Sequence, residues 1–214
     1  MPDSRAPFSL SPLTGVLQAP LPYGAFGHYR TTHRAALVAT QAAASRLFSF
    51  RNTHATNLIV GVRLIAKLLQ TGAHTATIED SLDVFRLTGF SVSDTVNTVT
   101  PGVSPRRSSM AAAPGAAEIR GVTVAGAAAG MTGGTLTKDG SPFASLPALF
   151  LAVLPSNQVL DVRLDEQDDD ANSHPFVFAP NEGFEIENRV LLGAAAAASV
   201  YVDFSWAEVA AGTY

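Results

Sequence analysis

Two segments near the end of the chain alternate with a period of two, and they constrain the fold more than any other feature of the sequence. In GFEIENRV, Phe184, Ile186, Asn188 and Val190 share one side, while Glu185, Glu187 and Arg189 share the other. In SVYVDFSWAEV, Val200, Val202, Phe204 and Trp206 point one way and Tyr201, Asp203 and Ser205 the other. Successive side chains of a strand leave on opposite faces, so each segment is expected to bury one face and wet the other. That pattern belongs to an antiparallel sheet with a core on one side.

The rest of the chain supplies partners for these strands. HYRTTHRAALVATQ, rich in Thr, Ala and Val, reads as a strand from His28 onward. Between Asn57 and Leu69, the alternation of Leu58, Val60, Val62, Leu64, Ala66 and Leu68, with Gly61 inside it, favours strand over helix. LDVFRLTGF, ending at Phe90, reads as its partner strand, joined through Thr71-Gly72 and the polar residues that follow. Ser91 to Ala117 reads as a long loop, and shorter strands are expected at 118–125, 135–138, 148–154, 159–164 and 175–178. Five alanines, Ala194 to Ala198, are too few for an independent helix and read as a connector, either a hairpin loop or tightly packed small residues. The sum is an all-β chain, an antiparallel two-sheet β-sandwich or jelly roll over residues 28–214. It is preceded at 1–27 by an extended arm in which Pro2, Pro7, Pro12, Pro20 and Pro22 oppose helix and central strand.

Composition excludes several classes. Of the 214 residues 47% are hydrophobic and 15% charged, so the chain can bury a core and is not a solvated, disordered sequence. A net charge of −4 gives no electrostatic ground for nucleic-acid binding. The lack of cysteine removes disulfides and thiolate metal sites. MPDSRAPFSLSPLTG lacks the basic start and unbroken apolar run of a signal peptide, so synthesis in a cytoplasm is expected. No membrane span is expected: the apolar window Leu146 to Leu154 is short, and Arg63 and Lys67 interrupt the other candidate, whereas a span needs ~20 apolar residues.

Motifs of chemistry are sparse. The acidic run Asp165-Glu166-Gln167-Asp168-Asp169-Asp170 could offer oxygen ligands to calcium, but it lacks the EF-hand spacing and reads first as a solvated loop. His28, His33, His54, His74 and His174 include no helical metal pair, and His28 and His33 would face opposite sides of a strand. No GxSxG is present, Gly140-Ser141-Pro142 reads as a turn, and no glycine-rich phosphate loop follows a strand. Arg106-Arg107 reads as a solvated pair. No catalytic, cofactor-binding or metal-binding residue is therefore assigned, and the chain is not expected to be an enzyme.

Six segments resemble tailed-bacteriophage virion proteins: GHYRTT at 27–32, LFSFRN at 47–52, LDVFRLTGF at 82–90, RRSSM at 106–110, APNEGFEIEN at 179–188 and VDFSWAEV at 202–209. These pieces are structural rather than catalytic. The resemblance implies a jelly-roll structural protein of the virion, foremost a capsid cement or decoration protein that bridges neighbouring capsid subunits. The implied partners are the major capsid protein and further copies of the chain, a trimer being natural at threefold positions. A tail or baseplate component is the alternative within the class. A carbohydrate-binding jelly-roll module is the alternative outside it, although Trp206 lies within a strand and the loops are poor in aromatics.

Overall fold

The computed structural model describes residues 9–10, 17–18, 27–105, 117–152, 157–163, 176–193 and 198–211. Of the N-terminal stretch, β1 (Ser9–Leu10) and β2 (Leu17–Gln18) form a short antiparallel pair. The expected arm otherwise lies outside the described residues. The sandwich strands follow as β3 (Gly27–Leu37), β4 (Ser45–Asn52), β5 (Leu58–Gln70), β6 (Ile78–Val92), β7 (Thr98–Val99), β8 (Val103–Pro105) and β9 (Ala117–Val122). Next come β10 (Thr135–Lys138), β11 (Ala144–Phe150), β12 (Asn157–Arg163), β13 (Val177–Phe178), β14 (Gly183–Asn188) and β15 (Ala198–Val209). Among the described residues there is no helix.

Two antiparallel sheets pack face to face as a β-sandwich. The first runs β12-β5-β15-β3-β8, with β13 also on β5. The second runs β10-β6-β14-β4-β9-β7, and β11 continues the edge of β6 beyond β10. The long pairings follow one rule: β3 pairs with β15, β4 with β14, β5 with β12 and β6 with β11. The first four long strands thus meet the last four in reverse order, as in a double-length hairpin ribbon rolled onto itself. Rolling that ribbon gives the sheet orders β3-β15-β5-β12 and β4-β14-β6-β11, the jelly-roll arrangement of two Greek keys.

The same rule corrects two local expectations. β5 and β6 are consecutive but are not partners: β6 pairs with β14 and β11 in the second sheet, and β5 with β15, β12 and β13 in the first. The alanine run is not a hairpin loop either, because β14 and β15 belong to different sheets and the connection crosses between them. Ala198 already begins β15, and residues 194–197 lie outside the described residues. Smaller corrections are that the strand expected at 148–154 forms at Ala144–Phe150, and that the long loop contains β7 and β8. The part of that loop at 106–116, Arg106-Arg107 included, lies outside the described residues.

Between the sheets sits an aromatic core. Phe50 on β4 meets Phe204 edge-on at 4.7 Å and Trp206 at 5.1 Å, both on β15. Phe184 on β14 meets Phe204 at 4.8 Å. Such rings bury large areas and add edge-to-face attraction. Gly183 opens β14 where the Phe50 carbonyl of the neighbouring strand would collide with any Cβ, so close strand approach excludes a side chain there.

A buried amide ties the sheets together at one end. Gln70, the last residue of β5, donates through Nε2 to the carbonyls of Gly72 (2.7 Å) and Leu151 (2.6 Å), and its Oε1 accepts from the Leu151 amide (2.9 Å). Leu151 directly follows β11 of the other sheet. Removing this side chain leaves part-buried backbone groups without their partner, so Gln70→Ala is expected to cost ~1–3 kcal/mol. Faster hydrogen exchange of the Leu151 amide in the variant would locate the loss, and unchanged exchange would refute the tie.

Candidate functional site

In a two-sheet sandwich the outer face of each sheet is normally wet. On β14 it is not. Glu185 and Glu187 lie on the outward side, as alternation predicts, yet Glu185 is 2% and Glu187 6% exposed. The expectation of a wetted face on this strand is therefore corrected.

The cause is the excursion between β6 and β11. After β6, residues 93–97 lead to β7, which pairs with β9 on the far side of β14 and β4. The chain returns through 131–135 to β10 beside β6, and Val96 bridges Thr132 between the two crossings. Contacts to outward residues of β4 hold these crossings in place: Ser93 accepts from Arg51 (3.2 Å), Asp94 pairs with Arg46 (2.9 Å), and the Met131 amide bonds the Arg46 carbonyl (2.8 Å). Asp94 also accepts from the Gly134 amide (3.2 Å). The excursion thus roofs the outer face of the second sheet.

Beneath and beside this roof the charges are mixed. Lys138 Nζ lies 2.7 Å from Glu187, 3.6 Å from Glu185 and 4.2 Å above the Phe85 ring. Asp83, in register with Glu187 on the adjacent strand, accepts from the hydroxyls of Ser81 (2.7 Å) and Ser145 (2.6 Å). One carboxylate oxygen of Glu185 has no hydrogen-bond partner among the described residues. Burial, reinforced by the neighbouring Glu187, raises the Glu185 carboxyl to about 7, and Lys138 and Arg46 offset only part of this. Chemically, the cluster can bind or release a proton near neutrality.

Farther along β6, Asp80 accepts at one oxygen from the amides of Ser81, Arg189 and Val190, fastening the turn after β14. Burial holds its carboxyl above the ordinary range.

The histidines occupy separate places. His33 points inward on β3, close against Gly121, and burial keeps its imidazole below the usual range, whereas His28 lies on the opposite face. His54 accepts amides of Thr56 and Asn57 in the β4–β5 turn, and His74 stacks on Phe150 at 4.6 Å. His174 and the acidic run 165–170 lie outside the described residues. Among the described residues no group of three or more His, Asp or Glu could hold a metal ion. Residues 139–143, with Gly140-Ser141-Pro142, link β10 to β11. Trp206 is fully buried in the aromatic core.

The sequence reading did not single out Glu185, Glu187, Asp83, Asp94, Arg46 or Lys138. Its only signal was the shared side of Glu185 and Glu187, which gave their direction correctly but not their cover. No protein-family model matches this chain, and no curated protein matches it.

Proposed function

We propose that this chain is a structural protein of a tailed-phage particle, acting as a head cement or decoration protein that bridges neighbouring capsid subunits. One observation carries the reading. Of the six segments that resemble virion proteins, five contribute strands adjacent in the fold: β3 beside β15 in the first sheet, and β4, β14 and β6 side by side in the second. The sixth, RRSSM, lies outside the described residues. These segments lie in the paired strands of the two sheets rather than around a pocket, which supports a structural rather than a catalytic reading. A protein that binds only the assembled shell stabilises it by mass action and needs no chemistry of its own.

The experiment is to dissociate particles, separate heads from tails, and quantify this polypeptide in each fraction by mass spectrometry. Many copies in the head fraction are expected. A few copies confined to tails would move the protein to the tail or baseplate. Its lack from both fractions would end the virion reading and return attention to glycan binding.

A further inference from the structure

The outer face of the first sheet, unlike that of the second, is open and carries a charge opposite to that of the chain. Strand register sets its residues in rows. Arg30 of β3, Ser205 of β15 and Arg63 of β5 form one row, then Thr32, Asp203 and Ile65, then Arg34, Tyr201 and Lys67. Arg30, Thr32, Arg34, Arg63 and Lys67 are all exposed. Asp203 favours the charged form of Arg30, and Arg63 stands near enough to oppose it in small part. In register beyond β5, β12 places Arg163 opposite Arg63 and Asp161 opposite Ile65.

Four cations thus frame the face at roughly 10 Å across the strands and roughly 14 Å along them, given ordinary strand spacing and rise. Asp203, held by Arg30, is the one carboxylate among the described side chains of these rows. On a chain whose net charge is −4, the described side chains of β3, β15 and β5 in these rows carry four cations against that one anion. Between Tyr201 and Asp203 the surface dips into a depression of about 180 Å³ lined by Thr32, Ile65 and Lys67.

We propose that this face docks on a carboxylate-rich protein surface, and, resting on the function proposed above, that this surface belongs to a neighbouring subunit of the particle. Two features favour protein over nucleic acid. The ring of Tyr201 already has Arg34 over it at 5.4 Å, so it is not a free stacking platform. Ile65, Leu69 and the exposed Val159 add apolar area at the same face, which suits a protein interface.

The test compares wild type with Arg34→Glu/Lys67→Glu, using Arg189→Glu, an exposed site on the second sheet's end, as a charge-reversal control. Both variants are checked for native folding by circular dichroism and thermal melting. The first probe is poly-L-glutamate, which does not depend on any virion role. Salt-sensitive binding by wild type, about tenfold weaker in the double variant and little changed in the control, is expected. The second probe is head particles stripped of this polypeptide, to which wild type should rebind and the double variant should not.

Glutamate binding without any attachment to particles would remove the subunit assignment together with the virion reading, while leaving the acidic-protein face. Rebinding of the double variant at the wild-type level would overturn the face while leaving the virion reading. Failure of wild type to bind poly-L-glutamate, or tighter binding to duplex DNA that the double variant loses, would overturn the carboxylate-protein assignment. Self-association of wild type that the double variant abolishes, seen by sedimentation, would give the face to a second copy and overturn it likewise.

Discussion

Phe50→Ala is expected to lower the unfolding free energy by about 3–5 kcal/mol, the range for emptying a fully buried aromatic site. Phe50 is completely buried, and it is where the two sheets close on each other. Its ring meets Phe204 and Trp206 across the sandwich, lies 5.8 Å from Phe184 on the adjoining strand, and is 5.9 Å from Phe178 on β13. Truncation removes contacts from both sheets at once. The flanking rings sit on paired backbone, so they cannot collapse freely into the space, and the cavity term adds to the transfer term. Urea denaturation of wild type, Phe50→Leu and Phe50→Ala measures this, with Leu expected to recover much of the loss. A change below about 1 kcal/mol for Ala would mean that the sheets do not close on this ring.

What the sequence revealed of this fold was local, and what it hid was long-range. β5 and β15 alternate so clearly that strand identity, and the inward side of Val202, Phe204 and Trp206, could be read directly, while β3 was legible through its Thr, Ala and Val content. Partners could not. β5 and β6 look like a hairpin because neighbours in sequence usually neighbour in space, but the rolled ribbon pairs β5 with β12 and β6 with β11. Nothing in LDVFRLTGF encodes that choice. It arises from closing eight strands at once around Phe50, Phe184 and Phe204.

The candidate site was hidden for the same reason. Alternation states which side of β14 Glu185 occupies, but whether that side meets water depends on residues 93–97 and 131–135, far away in the chain. Glutamate is rarely fully buried unless paired, so solvent was the natural expectation for that face. The pairing that overrides it, through Lys138, comes from a four-residue edge strand with little pattern of its own. The basic outer face of the first sheet was hidden differently. Arg30, Arg34, Arg63 and Lys67 are scattered in an acidic chain, and only the β3-β15-β5 register collects them.

Glu185→Gln should make the protein more stable from neutral pH upward, and not in acid. The folded-state carboxyl titrates at about 7, above its ordinary value of 4.5, chiefly because burial penalises the ionised form. Below about pH 4.5 the group is protonated in both states and contributes nothing to the difference. As pH rises toward about 7 the unfolded chain loses this proton while the folded chain keeps it, so stability falls. Above about 7 the full penalty applies, up to about 3 kcal/mol by linkage. Glutamine keeps the shape and removes the charge, so the variant's advantage should be negligible in acid, grow between about pH 4.5 and 7, and level off above that. Asp80 and Asp94, also held above the ordinary carboxylate range by burial, add slopes of the same sign to both proteins. The informative quantity is therefore the difference between paired urea titrations across this pH range, in which the contribution of Asp80 cancels and that of Asp94, whose charge acts on Glu185, cancels only in part. A difference independent of pH would show that Glu185 does not carry the proton. A difference favouring wild type at neutral pH would mean that the attraction of Lys138 and Arg46 for the ionised carboxylate outweighs the cost of its burial.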